Sequence, residues 1–116
     1  MPSYNAAIPR AIYPGNEIAL VNNAATDASV TTTQQCSMGP DPGGQTAVVL
    51  TNSTNQTATV QIAPSDTPSL YQPYTYLGSA ITAATSTSVG FPVVPSVWLR
   101  CTFATAPTSG SLILSR

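Results

Sequence analysis

Val97-Trp98-Leu99-Arg100-Cys101-Thr102-Phe103 is the stretch that decides the fold. Val97, Leu99, Cys101 and Phe103 fall on one side of an extended chain, and Trp98, Arg100 and Thr102 on the other. A period of two with one apolar side marks a strand that buries one face. Pro95-Ser96 precede it, and Pro107-Thr108-Ser109-Gly110 reads as the turn that follows. Leu112 and Leu114 then point inward on a last strand running to Arg116.

The same reading works upstream. In Thr57 to Ala63, Ala58, Val60 and Ile62 share one face, and Thr57, Thr59 and Gln61 share the other. Thr46 to Thr51 is a second apolar strand, and Asn52-Ser53-Thr54-Asn55-Gln56 has the length of a hairpin loop, so the two strands are expected to pair. Glu17 to Asn22 and Ser29 to Met38 are earlier strands, the second carrying β-branched Val30, Thr31, Thr32 and Thr33. Gly39-Pro40-Asp41-Pro42-Gly43-Gly44 is the strongest loop signal. Pro64 to Pro73 is irregular. Tyr74 to Leu77, Ala80 to Ala84 and Ser88 to Val94 are short strands. About eight strands with no long helix predict an all-β chain, an antiparallel β-sandwich or barrel of jelly-roll or Greek-key type.

The chain has 116 residues, which suits one domain. Residues 1–16 are expected to form an extended N-terminal arm and residues 17–116 the sandwich. Pro2, Pro9 and Pro14 keep the arm from being helical or a fully bonded central strand. Tyr4, Ile8, Ile12 and Tyr13 are too apolar for a free tail, with Arg10 between the two pairs. The arm is therefore expected to leave its own domain and dock on a neighbouring subunit; the other reading has it fold back over a sheet edge.

Charged residues make up 6% of the chain, against about 25% in an ordinary soluble domain. The seven are Arg10, Glu17, Asp27, Asp41, Asp66, Arg100 and Arg116, with 17 Thr, 13 Ser and 15 Ala in the space that charge normally fills. Three scattered Arg make no phosphate-neutralising patch, so no nucleic-acid partner is expected. No apolar run reaches the roughly 18 residues of a membrane helix, so no membrane association is expected. Met1-Pro2-Ser3-Tyr4 has neither a basic n-region nor an apolar h-region, which predicts use in the cytoplasm where the chain is made. A nearly neutral surface of Thr, Ser, Asn and Gln suits life inside an assembly better than free solution.

Catalytic chemistry finds little support. With no His or Lys, Ser and Cys lack a base to activate them. Glu17, Asp27, Asp41 and Asp66 sit near predicted loops or strand ends, where acids serve turns and solubility, although Asp27, Asp41 or Asp66 with backbone carbonyls would suit calcium. No cofactor is expected, and the chain reads as a non-enzyme. Cys36 and Cys101 are expected as reduced thiols filling strand positions; the tryptophan and tyrosine that accompany an immunoglobulin bridge are missing. The sequons Asn52-Ser53-Thr54 and Asn55-Gln56-Thr57 are expected by chance in a chain this rich in Ser and Thr. Trp98 and Arg100, side by side on one outer face, are the residue types that interfaces favour; the alternative is an edge-strand arginine paired with an acid. Tyr71, Tyr74 and Tyr76 form an aromatic group that suits sugar stacking, a subunit contact or a packed rim.

This composition, the Pro-rich arm, and the block Ser96 to Thr102 followed by Pro107-Thr108-Ser109-Gly110-Ser111-Leu112 resemble small bacteriophage virion proteins, in particular capsid decoration or cement proteins. The resemblance implies a homo-oligomer, often a trimer, on the outside of the phage head. It would bind the major capsid protein between capsomers and stabilise the shell. Interface residues would be Tyr4, Ile8, Arg10, Ile12, Tyr13, Trp98 and Arg100. Two other readings stay open: a carbohydrate-binding or adhesin-like module of a tail fibre, and a major capsid or tail-tube subunit.

Overall fold

The structure is a computed structural model that describes residues 10–12, 15–26, 30–33, 35–38, 46–94 and 97–116. Their strands are β1 (Arg10–Ala11), β2 (Glu17–Val21), β3 (Cys36–Ser37), β4 (Thr46–Asn52), β5 (Ala58–Ala63), β6 (Gln72–Pro73), β7 (Thr75–Tyr76), β8 (Ser79–Ala80), β9 (Thr82–Ala83), β10 (Thr87–Val93), β11 (Trp98–Phe103) and β12 (Leu112–Ser115). One 3₁₀ turn, Pro68–Leu70, precedes β6.

One sheet has the order β10-β4-β12-β2, all antiparallel. The other runs β1-β3-β11-β5-β6, with β9 also on β5. If the stretch from β6 to β9 counts as one position, the chain changes sheet at every step from β2 to β12 except between β5 and that position. The fold is an all-β sandwich with this jelly-roll order, as the sequence led one to expect.

Alternation delivers the core. Val48, Leu50, Phe91, Val93, Leu112, Leu114, Ile18 and Leu20 come from one sheet; Cys36, Ala58, Val60, Leu99, Cys101 and Phe103 come from the other. Each large aliphatic among them contributes roughly 1.5–3 kcal/mol by leaving water. On β2 both Leu20 and Val21 are buried because the register against β12 slips by one residue between Leu112 and Ile113. The extra residue lets two neighbouring side chains turn inward.

Three expectations need correction. The first is the hairpin between Thr46 to Thr51 and Thr57 to Ala63: β4 and β5 do not pair but lie in opposite sheets. Both strands bury a face, so they serve the same core from opposite sides. Asn52 turns the chain across the gap. Its amide donates to the carbonyls of Gln56 and Ala83, both at 2.8 Å, and its Oδ1 accepts from Thr54 N–H at 2.9 Å. The Thr54 hydroxyl also lies 2.7 Å from that oxygen. Asn52 is only 1% exposed, so its sequon offers no acceptor on the folded surface.

The second is the single strand from Ser29 to Met38. Its described residues follow β11, with Thr32 opposite Thr102 and Cys36 opposite Leu99. Three residues lie between Thr32 and Cys36 but two between Leu99 and Thr102, so the segment is bulged. The buried Thr33 hydroxyl covers the irregularity by accepting from Cys101 N–H at 3.0 Å.

The third is the arm. Tyr4, Ile8 and Tyr13 lie outside the described residues, as does the side chain of Arg10. Residues 10–12, however, stay on their own domain. β1 pairs parallel with β3, Ile12 N–H donates to Ser37 O at 2.8 Å, and Ile12 is 1% exposed in the core. The open edge of β3 offers the backbone groups that the expected departure left unpaired.

Candidate interaction surface

The outer face of β11 and its neighbours holds the two residues singled out by type. Trp98 and Arg100 are half-buried on β11, which lies between β3 and β5 and so is not an edge strand. Opposite Trp98 stand Ser37 and Ala63, and opposite Arg100 stands Gln61. Arg100 Nε donates to Gln61 Oε1 at 2.7 Å, and its guanidinium lies 4.1 Å above the Tyr71 ring. Arg100 thus pins the Tyr71 segment across its own sheet through a cation–π contact. These partners differ from those of the alternative reading, an edge-strand arginine paired with an acid. Burial raises the Tyr71 hydroxyl pKa; the nearby Asp66 carboxylate adds to the effect and the Arg100 charge opposes it.

Further along this face, Thr32, Thr102, Thr59 and Thr82 occupy one cross-strand row. Only uncharged hydroxyl and methyl groups appear in it.

The three tyrosines do not make a platform. Tyr71 is buried under Arg100. Tyr74 packs edge-on against Phe91 with ring centroids 5.7 Å apart, and its hydroxyl donates to Pro92 O. Only Tyr76 turns to solvent.

Tyr76 belongs to a hairpin that leaves the sandwich. β7 and β8 pair only with each other, and Leu77-Gly78 closes them as a two-residue turn. Leu77 has φ 54° and Gly78 φ 83°, the two positive values of a type I′ turn. Leu77 is 88% exposed. The sequence reading makes Leu77 the last residue of a strand from Tyr74; the structure ends that strand at Tyr76 and puts Leu77 in the turn.

Where the end of β4 meets the start of β10, an open cavity of about 310 Å³ is lined by Thr51, Asn52, Ser53, Ser86, Thr87 and Ser88. None of these described lining residues is charged.

Among the described residues the candidate chemical groups are not brought together. Cys36 and Cys101 are free and buried. Burial pushes the Cys36 thiol up to about 12, against a weaker opposing hydrogen bond from the Leu99 backbone, and raises that of Cys101 as well. Asp27 and Asp41 lie outside the described residues. Among the described residues no three His, Cys, Asp or Glu side chains come together to hold a metal, and no helix is long and apolar enough to cross a membrane. Comparison of the chain with protein-family models, with curated proteins and with solved structures found no match.

Proposed function

We propose that the chain is a non-enzymatic structural protein of a bacteriophage virion, a decoration or cement protein that oligomerises and binds the major capsid protein between capsomers. The observation that carries this reading is a jelly-roll sandwich whose sequence has seven charged residues. Jelly rolls are a common architecture of virion proteins, an argument by analogy. The lack of charge has a more direct physical meaning. A surface of Thr, Ser and Ala costs less to desolvate than a charged one, so it suits broad contact with other subunits. High thiol pKa values in the core and a sequence without His or Lys leave no activated nucleophile, which favours a binding role.

The test is reconstitution. Purified protein is added to phage heads that lack it, and bound copies are counted after sedimentation. The reading expects saturable binding at a fixed copy number and heads that open at a higher temperature. Heads that sediment without it, or open at the same temperature with it bound, would overturn the reading.

A further inference from the structure

We propose that the Tyr76–Leu77 hairpin tip of one copy inserts into the Thr51/Ser86/Ser88 cavity of a second copy, making a head-to-tail contact. The inference rests on the homo-oligomer in the reading above and not on the virion.

The tip combines two unfavourable features at one residue. Type I′ turns prefer Asn or Gly at the first central position, and a leucine held at φ 54° is strained by about 1 kcal/mol or more. The same leucine is 88% exposed beside a Tyr76 that is 42% exposed. A single exposed leucine is ordinary, and so is a single strained turn. Together, on a hairpin outside both main sheets, they describe an apolar anchor presented away from the body of the chain.

The occupant follows from charge and from the walls of the cavity. From Thr67 to Leu99 the chain has no charged residue, so the hairpin has no ion to offer a charged partner. A charge buried against it would be left unpaired, at high cost. A second copy presents an open cavity of about 310 Å³ whose described lining residues carry no charge, with room for an isobutyl group. Its lining residues are polar by name, yet most of their polar atoms are already bonded within the chain. Thr51 Oγ1 and Ser88 Oγ bond each other at 3.1 Å, and Thr87 Oγ1 donates to Ala84 O at 2.6 Å. Ser53 Oγ accepts from Ser111 N–H at 3.0 Å, and the Asn52 amide serves Gln56 and Ala83. An apolar guest therefore meets methyl and methylene walls and strands few hydrogen-bonding groups. Because tip and cavity are different surfaces, the contact is heterologous and repeats into a closed ring, such as a trimer, or an open chain.

Two variants test it by complementation. Leu77→Asp removes the anchor and keeps the cavity; Ser88→Trp fills the cavity and keeps the anchor. Both positions are exposed, and circular dichroism checks that each variant folds. Sedimentation equilibrium should show an oligomer for the unaltered chain and association weakened about tenfold or more in each variant. An equimolar mixture of the two should form a 1:1 dimer, since one intact contact remains. A monomeric unaltered chain would overturn both the oligomer and this contact. An oligomer that persists in Leu77→Asp, or a mixture that stays monomeric, would overturn this contact alone.

Discussion

At the scale of single residues, Gly110 and Asn52 carry more than their composition suggests. A Cβ on Gly110 would stand 1.9 Å from Ser53 O, and its φ of +82° is unfavourable for any other residue. Gly110→Ala should cost well over 1 kcal/mol, read as a lower urea midpoint, because backbone and not a flexible side chain blocks the space. Asn52→Ala should cost on the order of 1–3 kcal/mol for each buried group it strands, with the Thr54 N–H and the Ala83 carbonyl first among them. The thiols give stability a pH dependence with a definite sign. Cys36 titrates near 9.0 when unfolded and near 12 when folded. The unfolded chain therefore loses its proton first, so stability is full below about pH 9 and falls as pH rises toward 12. Melting temperatures across that range should decline, and Cys36→Ala should flatten part of the decline, with Cys101, Tyr71 and Tyr74, all raised by burial, supplying the rest.

At the scale of elements, the placement of β1 gives a prediction opposite to that of a free arm. Ile12 fills the core and Arg116 holds its end: the Arg116 guanidinium donates to the carbonyls of Ile12, at 2.8 Å, and of Met38. Ile12→Ala should lower stability of the isolated domain by roughly 2–5 kcal/mol in a denaturant titration. A clamp reaching another subunit would leave the isolated domain unchanged. The sequence showed which residues of β5, β11 and β12 face inward, because a period of two records burial directly. It did not show partners. Thr46 to Thr51 and Thr57 to Ala63 have the same alternation whether they pair in one sheet or face each other across two, and what separates the cases is the bonding of Asn52, which no spacing reveals. Arg100 was legible as an outward residue, but its attachment to Tyr71 depends on how residues 64–71 fold over the sheet. Leu77 was hidden because its unusual property is a dihedral angle, and leucine by type suggests the core.

At the scale of the whole molecule, the scarcity of charge decides how association must respond to its surroundings. Contacts steered by ion pairs weaken as salt screens them, over a length of about 8 Å at physiological ionic strength. The described charged side chains that face outward are few: Glu17, which begins β2, and Asp66 are exposed, while Arg100 and Arg116 are engaged with groups of their own chain. Burial of apolar and hydroxyl surface has the opposite response, since salts excluded from protein surfaces strengthen it. Association of the chain with itself, and its proposed binding to phage heads, should therefore change less than about threefold between low and moderate sodium chloride and tighten in sodium sulfate. Sedimentation at a series of salt concentrations measures this directly. A steep loss of binding with sodium chloride would mean that the charged partner surface dominates, and would count against contacts built from the uncharged faces and the Leu77 tip.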